Sequence, residues 1–254
     1  MADMKRDWTR LVTRAAVVLG VGAVLAALVA AVGSAAGAWG FGTGLKALRY
    51  LFFAAAAGAL LGLIGLVMAR RRAKLMLANL LALVIALGFV LYLGNLVRIA
   101  KSVPAIHDVA TDLDDVPQFT RLKVRPDNLE NIPDEGRPEL KALPPEERWK
   151  ALHRAHYGDV RTLRLPAPPD QVAQRAAALA RERGWEVAVA EGDRVEATAT
   201  STFFRFKDDV VVRVRPAPGG GSLVDMRSIS RVGGSDVGMN ARRVRDFLAD
   251  LQRG

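Results

Sequence analysis

No cysteine occurs among the 254 residues, which excludes disulfides, zinc–thiolate sites, iron–sulfur clusters and a cysteine nucleophile. The absence is compatible with an oxidising compartment but does not assign one. Acidic residues are scarce in one region only. Residues 1–103 hold Asp3 and Asp7 against twelve lysines and arginines, so the whole net charge of +10 resides there. Residues 104–254 carry 24 cations and 24 anions and sum to zero. A pI near 10.5 invites a nucleic-acid reading. The partition removes it, because the excess cations accompany long apolar runs, and no nucleic-acid partner is expected. Also lacking are a serine–histidine–aspartate order, a paired-carboxylate motif, a dinucleotide fingerprint and a phosphate loop. No catalytic set is recognisable, and a non-enzymatic role is the favoured class. Arginine outnumbers lysine and alanine is abundant, a composition typical of a GC-rich bacterial genome.

What is present first is three apolar runs, at residues 15–32, 48–69 and 75–97. The second and third are each long enough to cross a hydrocarbon core of about 30 Å as a helix. Between them lies Arg70-Arg71-Arg72-Ala73-Lys74, a cation cluster that resists translocation and belongs on the cytoplasmic side. Counting spans from that loop places the N-terminus inside and everything after residue 98 outside. Lys5, Arg6, Arg10 and Arg14 before the first span agree. Trp39, Phe41, Tyr50, Phe52 and Phe53 around the outer connection, and Tyr92 near the end of span three, suit the headgroup zone, with Trp8 at the inner face. Ser34-Ala35-Ala36-Gly37-Ala38 would also serve as a signal-peptidase site, but the apolar run is long for a signal peptide and an uncleaved helix is preferred. No ionisable residue sits near the centre of a span, which argues against a transporter. Ala54, Gly58 and Gly62 make a small-residue stripe, read as packing among the chain's own helices rather than as a dimer contact. Residues 1–103 are therefore an anchor in the lipid bilayer, assigned to a bacterial inner membrane with a periplasmic C-terminal domain.

Residues 104–144 are dotted with proline and lack a helical or alternating period, so they read as an extended or irregular linker segment. From 145 to 254 the pattern becomes regular. Pro145 to Tyr157 has the start signals of a helix, with Trp149, Leu152 and His156 on one face. Residues 160–165 read as a strand, and a second helix follows with Asp170 as its N-cap and Gly184 as its stop. The period then changes to two, with turns at Glu191-Gly192-Asp193, near Lys207-Asp208-Asp209, and at Gly219-Gly220-Gly221. A closing helix spans residues 237–251. The predicted architecture is an N-terminal three-helix transmembrane anchor followed by an α+β two-layer domain, an antiparallel sheet with helices on one face.

Three stretches carry candidate chemistry. Arg227, Ser230, Arg231, Ser235, Asp236 and Asn240 combine cations, hydroxyls, glycine turns and a helix start, a pattern suited to a phosphate or carboxylate. Against that, a capping Ser235 or Asp236 would take the anion's place. Arg205 and Lys207, in Phe203-Phe204-Arg205-Phe206-Lys207, extend the candidate ligand-binding set toward a lipid or aromatic-ligand surface, although sheet core with a hairpin turn is the preferred reading of that stretch. His107, Asp108 and Asp112 are a candidate metal set, although their spacing matches no calcium loop or histidine pair. His153 and His156 lie three apart on a helix, one expected packed and one wet.

Ile106-His107-Asp108 with Thr111-Asp112 and Pro117, Phe206-Lys207-Asp208-Asp209, and Ser230-Arg231-Val232-Gly233 with Ser235-Asp236, Gly238 and Asn240-Ala241 together resemble the bacterial family called domain of unknown function 1499. The resemblance covers roughly residues 104–252. The aromatic–Pro–Asp step of that family stands here as Tyr157-Gly158-Asp159. The resemblance implies a membrane-linked α+β domain and implies no activity or cofactor; the cofactor stays unknown. Two readings follow. The first is a binding or scaffold domain for an anionic small molecule, a lipid headgroup or a membrane-protein partner. The alternative is a metal-dependent or other hydrolase using the His107 segment with the Arg231–Asn240 turn.

Overall fold

A computed structural model describes residues 2–254, with side chains from Trp8 onward. Lys5 and Arg6, counted above for topology, have side chains outside the described residues. The chain divides into two compact units. One holds the N-terminal helices up to Arg98 with the short turn Thr202–Arg205. The other holds Ile99–Ser201 with Phe206–Gly254.

In the first unit, α1 (Ala2–Ala35), α2 (Phe41–Met68) and α3 (Ala73–Ser102) are helices, and each is long and apolar enough to cross a membrane. α1 and α3 overrun their apolar stretches at both ends and α2 at its N-terminal end, where flanking residues continue the helical hydrogen bonding. Glycine sets the packing. A Cβ on Gly58 would stand 2.3 Å from the backbone nitrogen of Gly20, so α1 and α2 approach as only glycine allows. Gly62 and Gly65 face Asn79 and Leu83 of α3 in the same way. The small-residue stripe is consumed inside the bundle. Asn79 is fully buried there and donates to Thr13 Oγ1 at 2.9 Å and to the Leu75 carbonyl at 2.8 Å, a polar tie between α1 and α3.

The second unit is α+β. Its elements are β1 (Asp108–Ala110), α4 (Pro138–Lys141), α5 (Pro145–His156), β2 (Leu163–Leu165), α6 (Pro169–Glu182), β3 (Glu186–Glu191), β4 (Arg194–Thr200), β5 (Lys207–Pro216), β6 (Ser222–Ser230) and α7 (Met239–Arg253). The antiparallel sheet runs β1-β6-β5-β4-β3, with β2 pairing the other end of β6. Alternation divides its faces. Val195, Ala197, Val210, Val212, Val214, Val224 and Met226 join one apolar core with α6 and α7. Trp185 stacks on Phe247 of α7 at 5.2 Å. The alanine face of α6 (Ala173, Ala176, Ala177, Ala180) lets that helix lie close on the sheet.

Several local expectations are corrected. Pro169 takes the first helical position of α6, so Pro168 is the N-cap and Asp170 falls within the first turn. On α5 it is His153 that is buried with Trp149 and Leu152, while His156 at the helix end is exposed beside Glu135. Helix α7 starts at Met239 rather than Val237, because Val237 and Gly238 adopt left-handed backbone (φ 57° and 76°). Strand β1 lies in the stretch read as irregular.

Residues 111–128 cross the second face of the sheet. Thr120, Arg121 and Leu122 donate backbone N–H groups to Glu196 of β4, and Thr120 Oγ1 adds a fourth bond at 2.6 Å. Three successive amides closing on one carboxylate pin the segment as a strap. Further along β5, Arg213 and Arg215 pair with Asp115, and both also reach Asp225 of β6.

Candidate functional site

Where β1 enters beside β6, the candidate residues divide between the two faces of the sheet. On the strap side, Asp108 is 1% exposed and receives Arg227 in a two-pronged pair at 2.9 and 2.6 Å. Asn128 of the strap donates its amide to Asp108 Oδ2 at 2.7 Å. That fixes the amide orientation and turns Asn128 Oδ1 toward His107 Nε2 at 3.1 Å. The other ring nitrogen of His107, Nδ1, lies 3.4 Å from the Gly234 carbonyl. The Phe119 ring lies over the Arg227 guanidinium at 5.9 Å. Burial disfavours the Arg227 cation, and the Asp108 carboxylate outweighs it, leaving the pKa raised.

Next along the same face, Arg231 holds Asp209 through both carboxylate oxygens at 2.8 Å and donates to Thr198 Oγ1. Cross-strand register puts Thr198 opposite Asp209, so this trio follows directly from the pairing of β4 with β5.

Toward the helices, Ser228, Ser230 and Asn240 form a second cluster. Asn240 Nδ2 donates to Ser230 Oγ and to the His107 carbonyl, both at 2.9 Å, while its Oδ1 accepts from Ser228 Oγ at 2.6 Å. Arg243 donates to Ser228 and Asn240 and pairs with Asp208 at 2.6 Å. Asp236 accepts from the backbone N–H groups of Gly238 and Asn240 at 2.8 and 2.6 Å, occupying the start of α7 where an incoming anion would sit. Burial raises the Asp236 pKa, against the pull of those two amides. Ser235 Oγ accepts from Val237 N–H at 3.2 Å.

The structure thus brings His107 and Asn240 into contact through the His107 backbone, while the side chains of Asp108 and Arg231 go to separate partners. Lys207 stands 4.0 Å from Glu186, and Arg205 is exposed in a turn with left-handed backbone (φ 55°). Asp112 caps its own loop by accepting the amides of Asp114 and Asp115, and lies 3.6 Å from Arg215. Among the described residues no three histidine, aspartate or glutamate side chains are grouped to hold a metal ion. A shallow groove of about 450 Å³ lies elsewhere, between Ala173, Ala177 and Arg181 of α6 and Ala190, Glu191 and Arg194 of the β3–β4 hairpin. None of the candidate residues lines it.

Reasoning from sequence missed Asn128, Glu196, Asp225 and Arg243. Glu196 and Asp225 sit at positions that alternate with core residues, so they read as solvent-facing. Nothing local signals that a strap covers them.

The family model described as protein of unknown function (DUF1499) matches residues 108–251. The crystal structure of DR_A0006 from Deinococcus radiodurans is similar over 36% of this chain and 91% of its own, at 18% identity and a TM-score of 0.24. Among curated proteins none matches.

Proposed function

Because the chain belongs to the DUF1499 family, whose function is unknown, we propose from its own geometry that it is a membrane-anchored binding or scaffold protein rather than an enzyme. Its three apolar helices sit in a bacterial inner membrane, with the N-terminus cytoplasmic and the α+β unit periplasmic. The observation that carries the non-catalytic reading is the pairing of the groups that chemistry would need. Asp108 is spent on Arg227, Asp209 on Arg231, Asp208 on Arg243, and Asp236 on the start of α7. A general base or metal ligand must keep a lone pair for substrate or ion, and these carboxylates direct theirs at neighbouring donors. The hydrolase alternative needs His107, Asp108 and Arg231 to converge on a cleft; Asn128 bridges His107 and Asp108, but Arg231 turns away to Asp209 and Thr198. The compartment rests on the cation cluster at Arg70–Lys74.

The absence of cysteine makes the compartment directly testable. In intact cells expressing the full chain, a membrane-impermeant maleimide is expected to label Gln252→Cys and to spare Arg71→Cys until the membrane is opened. The reverse pattern refutes the orientation. Elemental analysis of the purified full-length protein tests the role. Stoichiometric metal that is lost in His107→Ala would refute the scaffold reading and favour the hydrolase.

A further inference from the structure

In the unit formed by Ile99–Ser201 and Phe206–Gly254, the large apolar side chains left exposed are Val232 (40%) and Met239 (51%). Val232 lies in the β6–α7 connection and Met239 is the first residue of α7. The loop is built rather than slack. Arg125 ties down the Gly233 carbonyl at 2.7 Å, and Asp236 holds the amides of Gly238 and Asn240. Val237 is held at a positive φ of 57°, a conformation a β-branched residue adopts only where its surroundings impose it. A loop this constrained, with its two large apolar residues turned outward, presents them.

The same loop lies against the point where the chain leaves α3. The Asp236 amide donates to the Ile106 carbonyl at 3.4 Å, and a Cβ on Gly238 would stand 3.2 Å from Val103 Cγ1. Val103 directly follows Ser102, the last residue of α3. The connection has no slack, since Pro104 and Ile106 are buried and Ile106 turns back on the Pro104 carbonyl at 2.9 Å. Exposed cations border it. They are Lys101 in the last turn of α3 and Arg242 in the first turn of α7, 74% exposed and only loosely paired with Asp246 at 3.5 Å.

We propose that the Arg231–Met239 loop is a lipid-docking surface, seated in the headgroup layer of the bilayer that α3 leaves, with Val232 and Met239 among the acyl-chain ends and Arg242 and Lys101 against lipid phosphates. This rests on the membrane-anchor reading above. The occupant follows from covalent continuity, because a surface one residue from the end of a bilayer-spanning helix meets lipid before any soluble partner. Two apolar side chains and two cations would be a weak anchor alone. Tethering by α3 makes the encounter intramolecular, so a weak surface suffices to hold the unit in one orientation.

The test uses the full chain reconstituted in phosphatidylcholine–phosphatidylglycerol vesicles containing nitroxide lipids, with a polarity-sensitive fluorophore on single cysteines. Met239→Cys is expected to emit at shorter wavelength and to lose emission to a headgroup-depth nitroxide. Leu87→Cys in α3 is expected to respond to a chain-depth nitroxide, and Glu191→Cys at the far end of the sheet to neither. A quenched Leu87 label with an unquenched Met239 label overturns the docking surface and leaves the anchor standing. An unquenched Leu87 label overturns the anchor and the docking surface with it. A Met239 label whose shielding rises with protein-to-lipid ratio overturns lipid as the occupant, in favour of a second copy of the chain.

Discussion

Replacing Asp108 with asparagine asks whether the strap-side network is structural. The substitution keeps the shape and removes the charge. The Arg227 side chain, 8% exposed, would then face a neutral amide, with the Pro117 carbonyl at 3.4 Å and the Phe119 ring as its other partners. Leaving one member of a buried ion pair without its counter-charge costs about 3–5 kcal/mol. In a unit of this size each kcal/mol moves Tm by about 2–4 °C, so Asp108→Asn is expected to lower Tm by about 6–20 °C. Arg227→Met should cost a similar amount, since it strands the Asp108 carboxylate with Asn128 as its one side-chain donor. Combining the two removes both charges, and the double variant should be destabilised by clearly less than the sum, with a coupling of at least about 2 kcal/mol. Tryptophan fluorescence during heating of the full-length protein in detergent reports the transition. A Trp8→Phe/Trp39→Phe background confines the signal to Trp149 and Trp185, and Trp149 Nε1 donates to the Asp108 carbonyl at 2.8 Å. A fall below about 2 °C for Asp108→Asn, less than even 1 kcal/mol would produce, would refute the assignment of a tightly desolvated pair, as would strict additivity.

Three other outcomes are expected. His153 is 1% exposed, and its Nε2 accepts the Ala110 amide at 3.3 Å; burial depresses its pKa from 6.5 to about 4. The unfolded chain therefore takes up this proton first, and stability that is complete above about pH 6.5 should fall by up to about 3 kcal/mol as the pH drops toward 4. His153→Gln, which keeps an acceptor, should flatten that slope in acid–urea titrations. For Glu196, burial would raise the pKa, but the Thr120 hydroxyl and the three strap amides outweigh it and leave the group below its ordinary 4.5. The strap's hold is therefore full above that value and lost as the pH falls through the lower folded value. Amide exchange at Thr120, Arg121 and Leu122, corrected for its intrinsic pH dependence, should quicken in acid and, at neutral pH, in Glu196→Gln. Gly58→Leu should separate α1 from α2, because its side chain would meet the Gly20 backbone rather than a movable side chain. Cross-linking between cysteines at Ala23 and Ala55 should then fall, and unchanged cross-linking would disprove the close helix approach.

The three long apolar helices and the β3–β6 meander were legible because each has a strong sequence signal. Apolar runs of 18 to 23 residues are long enough to read as spanning helices, and Val210, Val212 and Val214 repeat every second position along one face. Strand β1 and the strap were not legible, for a physical reason. Their backbone groups are satisfied far away in sequence. β1 pairs with residues 227–229, and the amides of 120–122 close on a side chain at 196, so no local repeat marks them. The candidate site was half legible. The hydrolase alternative required the His107 segment and the Arg231–Asn240 turn to come together, and the side chain of Asn240 reaches the backbone of His107. Their roles were hidden because partners such as Asn128 and Arg243 carry no motif of their own. Alternation assigns one sheet face to water by default, and here that face is covered.

The covered face also accounts for part of the charge balance of residues 104–254, which carry 24 cations and 24 anions. A buried charge without a partner costs several kcal/mol, so a sheet face carrying Arg213 and Arg227 under a strap must supply an acid to each. Asp225 and Asp108 fill that requirement from β6 and β1, while Asp115 joins from the strap itself. The consequence limits what this face can bind. An anion competing for Arg227 must displace a carboxylate that is already desolvated and already holds two bonds from the guanidinium and one from Asn128. It gains one pairing while stranding another, and the exchange becomes favourable only if the strap lifts and rehydrates Asp108. Cations outside the network stand open to solvent, as Arg242 does with its side chain 74% exposed.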